Sequence, residues 1–261
     1  MLSTITLFTA LTLITSLLTT TATATTIPTS TQTTNPQPPP LSYAILLFRA
    51  FDLLDVNGPL SPLQLLAHSY PLTLSLLART LDPVTTRPAS PSMNPHNASF
   101  WPSLTPTHTF ATAPENLDVL IVPGGLGSRS PDLEPEIAYL RAAFPKVRYL
   151  ITICTGAGVA ARAGVLDGRR ATTNKRAWGE ITAMGPGVRW VAPARWVVDG
   201  HIWSSSGVTA GLDLIYAFIK EMYPDGHELA ATIAGGSEYE PHNSTYDPFS
   251  SLFNVPTQNQ L

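Results

Sequence analysis

The chain has 261 residues, 44% of them hydrophobic, with 13% charged side chains and a formal net charge of −3. That length supports one large domain with a sizeable buried core. Only three lysines are present, Lys146, Lys175 and Lys220, so no basic stripe exists to follow a phosphate backbone, and no nucleic-acid partner is expected.

The first charged side chain is Arg49. Ahead of it, residues 5–18 (ITLFTALTLITSLL) are apolar apart from Thr and Ser, and small residues follow to Ala24. This pattern predicts a secretory signal over 1–24 and hence a secreted or secretory-lumen protein. The run is shorter than the roughly 18 uninterrupted apolar residues of a membrane span, so no membrane attachment is expected after cleavage. Residues 25–42 are uncharged and rich in Thr, Pro and Gln, which predicts an extended linker. Two glycosylation acceptors, Asn97-Ala98-Ser99 and Asn243-Ser244-Thr245, agree with secretion.

The folded domain is expected over 43–236. Tyr43–Phe48 reads as a buried strand. Ser61-Pro62 suggests a helix start, with Ser as N-cap and Pro at the first helical position. Leu72–Ala78 and Val119–Val122 read as strands, the second running into Pro123-Gly124-Gly125. Between them lies the Pro/Ser/Asn-rich segment 82–110, long enough to be a lid or binding loop. A helix over 133–144 precedes the strand Tyr149–Ile153, and residues 197–203 form a hairpin with Asp-Gly at its tip. Thr209–Met222 is a helix with Leu212, Ile215, Tyr216 and Ile219 on one face. Asp225 and Glu228 stand at capping-box spacing ahead of a last helix, and 237–261 is expected to be an irregular tail. Strand–helix alternation with near-continuous apolar strands predicts an α/β domain with a mostly parallel sheet covered on both faces.

The chain's single cysteine, Cys154, sits where the strand Tyr149–Ile153 turns into the small-residue run Thr155-Gly156-Ala157-Gly158. This is the setting of a nucleophile elbow at the carboxyl edge of a sheet, and a helix start there favours the thiolate. The amides of Gly124 and Gly125 would donate to a developing anion. After the first strand, Asp52 and Asp55 compete as the acid that delivers or accepts a proton. No set of residues shows metal-ligand spacing.

The strings LLDVNGP, LIVPGGLG, LITICTGAGVAARAGVLDGRRATTN and WSSSGVTAGLDL together resemble the ThiJ/PfpI family, part of the class I glutamine amidotransferase-like superfamily, and most of all its isonitrile hydratase branch. The resemblance spans residues 43 to about 235. It implies a flavodoxin-like three-layer sandwich, a homodimer and a small-molecule substrate handled without a cofactor. Carried residue by residue, it puts the nucleophile on Cys154, the acid on Asp55, a substrate-positioning hydroxyl on Thr155 and the amide donors on Gly124 and Gly125. The activity implied is a cysteine-dependent lyase that hydrates an isocyanide to a formamide, with Trp101, Trp178 and Trp203 as candidates for an apolar pocket. Asn174 stands where many relatives carry His. This counts against the alternative, a glyoxalase or deglycase acting on methylglyoxal or its adducts. A second alternative is a non-catalytic, redox-sensing or binding protein. The six histidines, His68, His96, His108, His201, His227 and His242, fall on no family position.

Overall fold

A computed structural model describes residues 37–257. The expected signal (1–24) and most of the expected linker lie outside them. Apolar residues in unbroken runs form the central strands because both sheet faces are covered by helices. In chain order the elements are β1 (Ser42–Leu46), α1 (Leu53–Leu66), β2 (Thr73–Ala78), β3 (Val84–Thr85), β4 (Ser103–Leu104), β5 (His108–Thr109), β6 (Val119–Val122), α2 (Glu134–Ala143), β7 (Tyr149–Thr152), α3 (Gly156–Arg162), β8 (Arg170–Ala171), α4 (Trp178–Ala183), β9 (Arg189–Trp190), β10 (Trp196–Asp199), β11 (Ile202–Ser205), α5 (Val208–Met222), α6 (Gly226–Gly236) and α7 (Pro248–Leu252).

Seven strands form one sheet in the order β10-β11-β7-β6-β1-β2-β5, parallel except for the β10–β11 hairpin at one edge. Its middle strands β1, β6 and β7 pair Ala44 with Leu120 and Leu120 with Leu150, all three fully buried. Helices α1, α5 and α6 pack together, as do α2 and α3, so the domain is a three-layer α/β sandwich as expected. The carboxyl ends of β1, β6 and β7 therefore lie side by side, where open parallel sheets carry their sites.

Four local expectations need correction. The first helix begins at Leu53, not at Ser61-Pro62: Asp52 caps it by accepting from the amides of Leu54 and Asp55, and Pro59 and Pro62 are buried inside it. Tertiary packing outweighs the intrinsic cost of the two prolines. Helix α5 is buried on more than the one face expected: Leu214 and Phe218 are as enclosed as Ile215 and Ile219, while Leu212 is only half-buried. Asp225 precedes α6 in the left-handed region with no side-chain cap, so the capping box does not form. The tail is also more ordered than expected. It carries α7 and is tied to the domain by Asp213 on α5, a side chain with no exposed surface that accepts from Arg195 Nε, from Tyr239 Oη at 2.7 Å and from the His242 amide at 2.9 Å. Asp213→Ala would leave the buried Arg195 guanidinium without its counter-charge, a change that costs about 3–5 kcal/mol in buried pairs. Thermal melts should show Tm lowered by about 6 °C or more; an unchanged Tm would refute this role.

Candidate active site

Three turns converge on Cys154. The first is the elbow itself, between β7 and α3. Cys154 has φ +56°, a left-handed backbone that a non-glycine residue adopts only when its surroundings enforce it. Gly156 permits the sharp exit: a Cβ there would stand 2.2 Å from the Val122 carbonyl oxygen. The strain and the close approach together project the side chain from the sheet edge in the manner of a nucleophile elbow.

The second turn, after β6, is locked to the elbow through its amides. Gly124 N–H donates to Asp55 Oδ2 at 2.8 Å, and Gly125 N–H donates to Thr155 Oγ1 at 2.9 Å. Ser128 Oγ sits 2.9 Å from the same hydroxyl. A Cβ on Gly124 would fall 2.5 Å from the Thr155 nitrogen and 2.9 Å from Asp55 Oδ2, so glycine is required for this contact. Two expectations change accordingly. The Gly124 and Gly125 amides are not free to receive a developing anion, because side chains within the protein already take them. The Thr155 hydroxyl, expected to position substrate, holds the Gly125 turn instead.

The third turn follows β8. Thr173 Oγ1 donates to the Cys154 carbonyl at 2.8 Å, and Asn174 Nδ2 donates to Cys154 Sγ at 3.2 Å. Asn174 Oδ1 accepts from the Ala177 amide at 3.2 Å, which fixes which end of the amide faces the thiol. From the sequence, Asn174 marked only the loss of a histidine. Its role as a donor to sulfur was not read, because nothing local shows that the β8 turn reaches the elbow.

Asp55 and Asp52 are resolved by their surroundings. Asp52 is spent on capping α1, whereas Asp55 is fully buried and faces the thiol. Its Oδ1 is enclosed without a hydrogen-bond partner. Burial, reinforced by the charge of Asp52, pushes the Asp55 carboxyl up to about 8, against the pull of the Gly124 amide and the thiol. Burial likewise pushes the Cys154 thiol up, and an ionised Asp55 would push it further; Asn174 and the Thr155 amide pull it back. The expected helix-start preference for thiolate is therefore outweighed: α3 has only seven residues, and desolvation dominates. Burial thus favours the neutral form of both groups.

A cavity of about 640 Å³ lies at the same sheet edge, bounded by Arg49, Ala50, Val84, Met93, Leu126 and Arg129. The 82–110 segment forms one wall, and the 126–129 turn that holds Thr155 forms another. The tryptophans expected to line a pocket do not line this cavity. Trp203 packs edge-on against Phe218 in the core, Trp178 is buried against Trp190, and Trp101 donates to Ala98 within the insertion. Among the described residues no cluster of three or more His, Cys, Asp or Glu is arranged to hold a metal, and no helix is long and apolar enough to cross a membrane.

Comparison with known proteins adds four observations. Residues 44–221 match the model of the DJ-1/PfpI family. The chain is similar to an isonitrile hydratase of Pseudomonas putida, 32% identical over 205 residues, which are 77% of this chain and 79% of that one. It is also similar to a deglycase of Pyrococcus horikoshii, 36% identical over 109 residues, 41% of this chain and 61% of that one. Among solved structures, a ThiJ/PfpI family protein from Pseudomonas syringae superposes with a TM-score of 0.65 at 25% identity, covering 85% of this chain and 84% of that one.

The raised proton affinity of Asp55 has a thermodynamic signature. A carboxyl that binds its proton more tightly when folded contributes stability at low pH, and that stability is lost as pH rises towards about 8. Asp55→Asn mimics the protonated acid and escapes the loss. Its Tm at pH 8 should exceed that of the parent chain by at least about 3 °C, with the gap closing near pH 4. A Tm below the parent's at pH 8 would contradict the assignment.

Proposed function

Because the chain belongs to the DJ-1/PfpI family, we propose that it is an enzyme that adds water to an isocyanide, R–N≡C, to give the N-substituted formamide R–NH–CHO. The observation that carries this reading is the fully buried Asp55 carboxyl beside the Cys154 thiol: hydration of an isocyanide begins with a nucleophile and a proton delivered to the same carbon. Similarity to the Pseudomonas putida isonitrile hydratase supports it.

In the proposed reaction Cys154 Sγ bonds to the terminal carbon while Asp55 delivers its proton there and takes up the thiol proton. The product is a thioimidate, Cys154–S–CH=N–R. Asn174 Nδ2 stabilises negative charge on sulfur as it attacks, in the way it now donates to the thiol. Asp55 then removes a proton from water as the oxygen adds to the thioimidate carbon, and passes a proton to nitrogen. Cleavage of the C–S bond, with a proton returning to sulfur, releases the formamide and restores both residues. Atoms balance as R–NC plus H₂O, and no electrons are exchanged.

A deglycase reading draws on the Pyrococcus horikoshii relative, but that match spans less than half of this chain, and Asn174 supplies no base. We further propose that the mature chain acts as a homodimer in the secretory lumen. The apolar 1–24 leader supports the location, as do the exposed acceptor residues Asn97 and Asn243. Protein recovered from the medium of a secreting eukaryotic host should lose mass on endoglycosidase treatment; retention in the cytosol would overturn the location.

The test of function is formamide production from an aryl and an alkyl isocyanide. Turnover should vanish in Cys154→Ala and in Asp55→Asn, and should decline as pH rises through about 8, where Asp55 loses its proton. Removing residues 90–104, which include two cavity-lining side chains, Ser90 and Met93, should raise KM with little change in kcat. No turnover by folded, reduced protein on either substrate would sink the hydratase reading. Conversion of methylglyoxal under the same conditions would replace it with the deglycase one.

A further inference from the structure

We propose that Lys175 and Asp247 are positioning residues for Cys154: the C-terminal segment, through Asp247, holds the strap of residues 172–175 that presents Asn174 to the thiol. The proposal rests on the reading of Cys154 as the working nucleophile, and its test does not use an isocyanide.

Lys175 is an unusual residue to find enclosed. Its side chain and that of Asp247 are each only 1% exposed. The ammonium donates to Thr172 Oγ1 at 2.8 Å, Ala194 O at 2.9 Å, Ser206 Oγ at 3.0 Å and Thr173 O at 3.2 Å, and lies 3.4 Å from Asp247 Oδ2 and over the ring of Trp178. Four of these partners are neutral dipoles. Asp247 supplies the one negative charge in contact. That carboxylate is itself well held: Oδ2 accepts from the Ala194 amide and Ser250 Oγ, and Oδ1 caps α7 through the amides of Phe249 and Ser250. Thus α7, in a segment the sequence marks as a tail, supplies the counter-ion for a lysine at the core of the domain.

The strap has two ends of contact. On one side Lys175 draws Thr172 and Thr173 around its ammonium. On the other, Thr173 Oγ1 binds the Cys154 carbonyl and Asn174 Nδ2 binds Sγ. Lys175 does not itself reach the sulfur, and the charges that act on the thiol are those of Asp55 and Asp52. Any influence of the Lys175–Asp247 pair on Cys154 therefore passes through Asn174. Burial pulls the Lys175 ammonium down to about 8, and Asp247 holds it up. Without Asp247 the lysine sheds its proton, keeps two donors for four acceptors, and turns a lone pair towards one of them. The strap then loses the register that aims Asn174 at the sulfur.

Because Cys154 is the only cysteine, its alkylation by iodoacetamide, followed by intact mass, reports on that thiol alone. Asn174→Ala should slow alkylation about tenfold at every pH from 7 to 9, since the thiolate loses its donor. Asp247→Asn should slow it to a similar extent, and the double variant should be no slower than Asn174→Ala, as expected for residues acting through one contact. A merely structural role predicts the opposite sign: a loosened fold exposes the buried thiol and speeds alkylation. Should Asp247→Asn fail to fold, Lys175→Met/Asp247→Leu replaces the pair with apolar side chains, a swap that buried ion pairs often tolerate. That variant must show the same slowing.

Alkylation at the parental rate or faster in these folded variants overturns the proposal, as does a double variant whose slowing is the product of the two single effects. Slowed alkylation alongside absent isocyanide turnover in the parent chain would sink the hydratase reading and leave this one standing. Normal turnover with unchanged alkylation in Asp247→Asn would do the reverse.

Discussion

Enclosure of the Asp55 carboxyl, with the Gly124 amide 2.8 Å from one oxygen and no partner for the other, sets the terms for the rest of the site. A charged carboxylate there would have only the Gly124 amide and the Cys154 thiol to offset its burial, so the protonated form is favoured. The same enclosure keeps Cys154 a thiol. Two neutral acids side by side are a poised arrangement for chemistry that consumes a nucleophile and a proton together. They would be a poor one for chemistry that needs a standing thiolate. The proposed hydration follows from that constraint more directly than from the presence of a cysteine.

Holding this arrangement takes contacts from four parts of the chain. Helix α1 supplies Asp55 and uses Asp52 to secure its own start. The turn after β6 contributes amides that fasten Asp55 to one side and Thr155 to the other. The strained elbow contributes the thiol, and the turn after β8 contributes Asn174. The Gly124 and Gly125 amides illustrate the logic. A glycine-rich turn beside a nucleophile suggests donors waiting for an anion, yet here both donors are occupied in building the site. Stabilisation of charge on sulfur falls to Asn174 instead, and Asn174 is held from outside by a buried ion pair that includes the tail.

Much of the architecture is legible along the chain. Val119–Val122 is apolar at every position and Tyr149–Thr152 nearly so, the signature of strands buried on both faces. The elbow is legible for a similar reason: an apolar strand ending in cysteine and small residues leaves little choice but a tight turn into a helix. The misreadings share a cause as well. Ser61-Pro62 has the local chemistry of a helix start, but Asp52 reaches two amides upstream and packing carries the helix through both prolines. Asp225 and Glu228 have capping-box spacing, but the backbone at Asp225 adopts a left-handed conformation from which no cap forms. Local propensity amounts to about 1 kcal/mol for most residues and about 3 kcal/mol for an interior proline, and tertiary contacts override it here.

The amino-acid sequence by itself determined the strand order in time, the position of the nucleophile and the pairing of Cys154 with an acid after the first strand. Each of these is written in residues close together: a run of apolar side chains, a cysteine before glycines, an aspartate before Asn57-Gly58-Pro59. Tertiary structure alone decided that Asp55 is enclosed and its proton affinity raised, that the glycine amides are taken, and that Asn174 and Lys175 matter. Those properties depend on how much water each group loses and on partners far away in the chain, such as Gly124 for Asp55 and Asp247 for Lys175. Proton affinity is set by the whole surroundings of a group, and those surroundings exist only once the sheet has brought distant turns to one edge.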